Sequence, residues 1–246
     1  MSSLSVTDFL VTISSNVRTE VASQEFRARN PFAPLHRNIE IARRHEAGFY
    51  SDDRLFLDDV THFIGTALKA GNAAIVVATE SHRNRLLPKL EAHGVDTAAA
   101  IEQGRYITLD AADTLSTFMV NGMPDPVRFL KLFGNLIVTA ADAVKGEQAR
   151  IAVFGEGVHL LWAQGNAEAA IRVERLTDQI LKTYDVDILC GYSLGSVQGG
   201  METHIFQEIC ARHSAVYSRR TGPDTDSGFK HRSDISRLPC RTLGVL

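Results

Sequence analysis

The sharpest chemical pattern in the chain is Gly191-Tyr192-Ser193-Leu194-Gly195, a GxSxG run after a β-prone stretch and before a helical one. In a hydrolase such a run forms a strained strand-to-helix turn that exposes the serine hydroxyl for attack. The nucleophile then needs an acid and a later histidine, and Asp224 or Asp226 with His231 qualify by type. Their setting is poor. One helix and a polar tail follow the serine, and no HGGG-type run lies upstream to build an oxyanion hole. Ser193 is the only candidate catalyst, and the expectation is that the chain is not an enzyme.

Carboxylates and rings recur where the β-prone runs end: Tyr50, Glu80, Asp110, Glu156 and Tyr192, with His159 one turn beyond Glu156. In a parallel sheet those ends share one edge, where ligands collect. These residues are the candidate ligand contacts. The bland alternative for each is a helix cap or a solvated side chain. Phosphate chemistry fails on the loop Tyr50-Ser51-Asp52-Asp53-Arg54, which has neither glycine nor lysine and carries two acids. Carboxylates there repel phosphate.

Cys210 and His213 have half of a metal-ligand spacing, and Cys190 is a tempting third donor. A last helix of ~15 residues, rising ~1.5 Å each, would carry Cys210 and His213 roughly 22 Å back to the strand starts. That places them nearer His45 than Cys190. The expectation is a buried thiol and a hydrogen-bonded histidine, with no metal and no cofactor; His45, Cys210 and His213 are the weak metal candidates.

The elements that must position these residues alternate from Arg43 onward, β-prone runs with helical stretches, which signals βαβ units around a parallel sheet. Strands are expected at 45–50, 73–78, 105–109, 150–155 and 186–190. Ser51 is expected to cap the first helix, Pro88 to kink or restart the second, and Asp96, Asp125 and Asn166 to cap later ones. Residues 1–40 read as an appended helix, Val6, Leu10, Ile13, Val17 and Val21 sharing a face, plus a linker marked by Pro31 and Pro34. The domain itself is 41–218, and 219–246 reads as a disordered basic tail.

Composition excludes several classes. Net charge is −3 across 246 residues, so no global field recruits nucleic acid or anionic lipid. Three widely spaced cysteines without a CxxC pair fit a reducing cytoplasm. Neither a secretory signal nor a run of ~18 apolar residues is present, so no membrane span is expected.

Several runs in order resemble one family. They are His45-Glu46-Ala47-Gly48-Phe49-Tyr50, Gly104-Arg105-Tyr106-Ile107-Thr108-Leu109-Asp110, Phe154-Gly155-Glu156 and Leu160-Leu161-Trp162-Ala163-Gln164-Gly165-Asn166. Leu189-Cys190-Gly191-Tyr192 and Cys210-Ala211-Arg212-His213-Ser214 complete the series. Over about residues 43 to 216 the chain resembles MEDS domains, named for methanogens, methylotrophs and the regulator DcmR. Family members often carry proline where this chain has Ser193. The resemblance implies a RecA/KaiC-like α/β fold without a P-loop, and sensing of small molecules such as simple hydrocarbon derivatives. It puts Glu80 where KaiC-like ATPases keep catalytic acids; here it is a ligand-contact candidate. The resulting expectation is a stand-alone prokaryotic sensory domain acting on a kinase or transcriptional partner in trans, with a homo-oligomer left open. Contact segments would be the 1–30 helix and the tail basic residues Arg219, Arg220, Lys230, Arg232, Arg237 and Arg241. The alternatives are the serine hydrolase and a ligand-free protein-interaction module.

Overall fold

A computed structural model describes residues 44–145, 149–194, 203–219 and 236–237. The leader helix, its linker and nearly all of 220–246 lie outside these residues. Strand β1 (His45–Tyr50) leads into α1 (Asp53–Lys69), β2 (Ala73–Ala78), α2 (Glu80–Ala92), α3 (Thr97–Glu102) and β3 (Tyr106–Asp110). Next come α4 (Ala111–Phe118), a small hairpin of β4 (Met119–Val120) and β5 (Met123–Pro124), and α5 (Pro126–Asp142). The chain continues through β6 (Ile151–Gly155), α6 (Gly157–Ala163), α7 (Ala167–Thr183) and β7 (Val186–Ser193). It closes with α8 (Thr203–Arg212), β8 (Ala215–Arg219) and β9 (Ser236–Arg237).

The main sheet among the described residues runs β3-β2-β6-β7-β1-β8-β9. All its pairs are parallel except β8 with β9. Burial explains the strand sequences. Every residue of β2, Ala-Ala-Ile-Val-Val-Ala, is buried, as expected for a strand covered by helices on both faces. The five expected strands are present, but β7 continues to Ser193 instead of stopping at Cys190. β8 was not foreseen; its Ala-Val-Tyr-Ser-Arg alternates half-buried and buried along one edge of β1. Arg219 therefore belongs to a strand, and Ser236–Arg237 pair with β8 as well.

Helix ends follow from capping chemistry. Asp52, not Ser51, caps α1, accepting from the amides of Arg54 and Leu55 at 2.9 and 3.0 Å. One carboxylate oxygen accepts both bonds and satisfies two of the orphan donors of the first turn. Asp96, Asp125 and Asn166 cap α3, α5 and α7 as expected, and Pro126 sits at the start of α5. Pro88 lies inside α2 without restarting it.

Side chains alternate between the sheet's two faces. On one face Tyr50 meets Phe56 of α1 edge-on at 5.3 Å, and Phe56 meets Phe154 at 5.4 Å. On the other, Phe49 and Tyr192 stack at 4.7 Å under Phe206 of α8. Gly191, the first glycine of the GxSxG run, faces the first layer. A Cβ there would lie 2.7 Å from Phe56 Cε2 and 3.0 Å from the Phe154 ring. Both rings are buried, so Gly191→Ala is expected to cost about 1–3 kcal/mol by overpacking. Urea unfolding of the variant checks this; an unchanged midpoint would show that the rings give way freely.

Candidate functional site

At the carboxyl edge of the sheet the two tyrosines among the predicted contacts turn to opposite faces. Tyr50 and Tyr192 are 1% and 0% exposed. Tyr50 pairs its hydroxyl with that of Tyr217 at 3.2 Å. Asp110 caps α4 and binds Arg83 at 3.0 Å, which is the bland role weighed for it. Glu80 is exposed in the first turn of α2. Ser193 pairs with Tyr50 inside the strand register, whereas a nucleophile elbow would put it on a turn beyond the strand. Its proposed partners Asp224, Asp226 and His231 lie outside the described residues.

Glu156 is the rim residue with the richest contacts. It is 2% exposed, accepts from the Thr79 amide, and holds His82 Nδ1 at 2.6 Å. His82 lies against Phe56 at 4.4 Å, and its Nε2 is 3.6 Å from Asp53. Burial disfavours the His82 cation, but the hydrogen bond and charge of Glu156, aided by Asp53, outweigh it and raise the pKa. His159 moves the other way: burial lowers its pKa, and the His82 charge adds to that while Glu156 opposes it.

The raised His82 value fixes a sign. Its pair with Glu156 stabilises the fold fully below the ordinary histidine pKa of about 6.5, and that stability is lost as pH rises through the raised value. His159 contributes oppositely, losing stability as pH falls through its lowered value. An NMR titration of the His82 ring should show the elevated midpoint and its fall in Glu156→Gln. A midpoint indifferent to that substitution would refute the pairing.

The larger polar constellation lies on the other face, within the core. Tyr192 donates its hydroxyl to Glu174 Oε1, and Glu174 is completely buried on α7. Glu174 Oε2 lies 3.2 Å from His45 Nε2, 3.6 Å from His213 Nε2 and 3.9 Å from Cys190 Sγ. Cys190 Sγ is 3.6 Å from His45 Nε2, and the two imidazole rings are 4.0 Å apart. Burial opposes the Glu174 charge, yet the His213 charge and the hydrogen bond and charge of His45 hold its pKa at about 2. Burial, then the Glu174 charge, push the Cys190 thiol well up.

This corrects the placement of Cys190. The sequence pattern places it at a strand end, away from His45 and His213. Because β7 runs on to Ser193, Cys190 is mid-strand, opposite Ala47 and two residues from the partner of His45. Cys210 is buried on α8 but is not one of the four residues whose ligand atoms converge. Glu174 and His82 escaped notice in the sequence. Glu174 was findable: it is an acid amid the apolar positions Ala170, Val173, Leu176 and Ile180 of one helix.

Beside this constellation is an apolar cleft of about 70 Å³. Val77, Val153, Ile188 and Cys190 form its floor on the sheet. Leu115 and Phe118 of α4, Phe129 and Phe133 of α5, and Val173 and Thr177 of α7 wall it in. A single water needs roughly 10–15 Å³, so the space suits a molecule of several heavy atoms. Cys190 belongs to both the cleft and the polar constellation.

The structure thus defines a parallel α/β domain whose β1–α1 turn offers acids where a phosphate loop would offer glycine amides. Asp52 of that turn caps α1, and Asp53 binds Arg85 at 2.6 Å. The family model for the MEthanogen/methylotroph, DcmR Sensory domain matches residues 44–209 of the 246, and the chain belongs to this family of sensory domains. A comparison with curated proteins finds no match.

Among solved structures, the uncharacterized protein PH0321 from Pyrococcus horikoshii, solved with an unknown peptide, is similar at 14% identity. The match covers 80% of this chain and 83% of that one with a TM-score of 0.55, which shows a shared fold. PH0250 of Pyrococcus horikoshii OT3 matches at 8% identity over 73% and 84% of the two chains, TM-score 0.46. The KaiC-like protein PH0186 of the same archaeon matches at 12% over 78% and 76%, TM-score 0.44. Among the described residues no helix is long and apolar enough to cross a membrane.

Proposed function

We propose that this domain senses a small, uncharged, largely apolar organic molecule in prokaryotic signal transduction, and that it acts on a kinase or transcriptional partner. The observation that carries this reading is the apolar cleft floored by Cys190, the right size and chemistry for a simple hydrocarbon derivative. A ligand seated there would touch α4, α5 and α7 together. It would bias whichever arrangement of those helices it fits best, by its difference in affinity between arrangements. The rim residues Glu80, Asp110, Glu156 and His159 would act at a separate polar edge.

A thermal-shift screen with small alcohols, halomethanes, methylated amines and nucleotides tests the proposal. A binder at ~100 Kd adds roughly 2.7 kcal/mol to stability. Small apolar compounds should stabilise the native chain, and Ala111→Leu, which extends a cleft-lining side chain, should abolish the shift. Silence across the panel would favour a ligand-free interaction module, and a shift with nucleotides alone would move the site to the sheet edge.

A further inference from the structure

His45, Glu174, Cys190 and His213 present one donor atom each, all within 4.8 Å of one another, and all four residues are buried. Protonation states make this arrangement informative. His213 Nδ1 lies 2.6 Å from the Ile209 carbonyl, an acceptor only, so Nδ1 carries a hydrogen and donates it. His45 Nδ1 lies 3.2 Å from the Arg212 carbonyl and 3.5 Å from Asp178, so it must donate too. In the neutral rings both Nε2 atoms are then bare lone pairs, and both face the same oxygen of Glu174. His213 Nε2 is buried with no hydrogen-bond partner among the described residues. Lone pairs gathered on a carboxylate repel one another unless a proton or a metal cation lies among them.

We propose that these four side chains form a binding site for a divalent transition-metal cation, by donor chemistry Zn2+. Two imidazole nitrogens, a thiolate and a carboxylate match the preference of zinc for four mixed nitrogen, sulfur and oxygen donors. Metal–donor bonds of about 2.0–2.3 Å at tetrahedral angles separate donors by about 3.3–3.8 Å. Four of the six separations are 3.2, 3.6, 3.6 and 3.9 Å, and all six are within 4.8 Å. The thiolate and carboxylate charges together neutralise the cation, which removes the cost of burying any one of them. The surrounding groups also fit. Metal-bound histidines donate their second N–H to a carbonyl or carboxylate, and a ligating carboxylate is itself hydrogen-bonded. Here Ile209, Arg212 and Tyr192 supply those three bonds. Binding releases the Cys190 proton to solvent. The site stands whether or not the cleft takes an organic ligand, though a shared Cys190 would put that ligand beside the metal thiolate.

The test uses the full, untagged chain, stripped with EDTA and loaded with Co2+ as a visible probe. The expected result is about one equivalent bound, with intense tetrahedral bands and a thiolate charge-transfer band displaced by Zn2+. Cys190→Ser should remove the charge-transfer band while Cys210→Ser leaves it. Tyr192→Phe should weaken binding about 10–100-fold, the usual loss on removing a supporting hydrogen bond. Glu174→Gln can still accept from Tyr192 and donate to an imidazole, so it keeps the fold and loses the metal. A natively folded chain with no uptake, or a band that follows Cys210, overturns the proposal.

Discussion

Glu174→Ala, compared with the native chain in the presence of EDTA, should lose about 3–5 kcal/mol of stability, the cost of breaking a buried charged network. Glu174 is 0% exposed and takes the Tyr192 hydroxyl on one oxygen and faces His45 and His213 with the other. Alanine leaves the tyrosine hydroxyl buried without that acceptor and opens a void between α7 and the sheet. The loss would appear in the urea midpoint with the slope unchanged, as expected for a change in stability alone. Because chelator is present on both sides, the comparison reads the protein network and not any bound cation. A loss under ~1 kcal/mol, the scale of an ordinary hydrogen bond, would show that the network contributes little without metal.

A comparable loss is expected from Phe154→Ala on the opposite face, about 3–5 kcal/mol. Phe154 is 0% exposed, meets Phe56 edge-on at 5.4 Å and underlies Gly191. Removing the ring forfeits its transfer free energy and leaves a cavity that strands on either side of β6 cannot close. The two substitutions lie on different sheet faces, so their double variant should be near additive. Equilibrium unfolding of the two singles and the double measures both magnitudes and the coupling. A Phe154→Ala loss below ~2 kcal/mol, the low end for a buried aliphatic side chain, would mean that α1 settles into the space.

The elements were legible because their signals are local. Ala73–Ala78 reads as a covered strand from its unbroken apolar run, and Asp125-Pro126 and Asn166 mark helix starts by chemistry that acts within one turn. The error at the first cap was of one residue, since Ser51 and Asp52 are both able to accept, and only the backbone turn selects between them. β8 was missed because a five-residue strand with a serine and an arginine looks like the onset of a polar tail unless β1 is known to lie beside it.

The site was less legible, and the reason is register. Placing candidate ligands at strand ends treated all ends as one edge, but successive strand residues point to opposite faces. That period of two sends Tyr50 toward Phe56 and Tyr192 toward Glu174, separating residues that share an edge in sequence.

By itself the sequence determined the alternation of strands and helices, the parallel sheet, the family runs and the acidic first turn, because each depends on neighbours within a few positions. Only the tertiary structure decided that β7 extends past Cys190, that α7 turns Glu174 inward, and that His45 and His213 meet it from both ends of the chain's folded domain. A donor set gathered from β1, α7, β7 and the end of α8 has no spacing to read. It exists only once burial has fixed which face of each element turns inward.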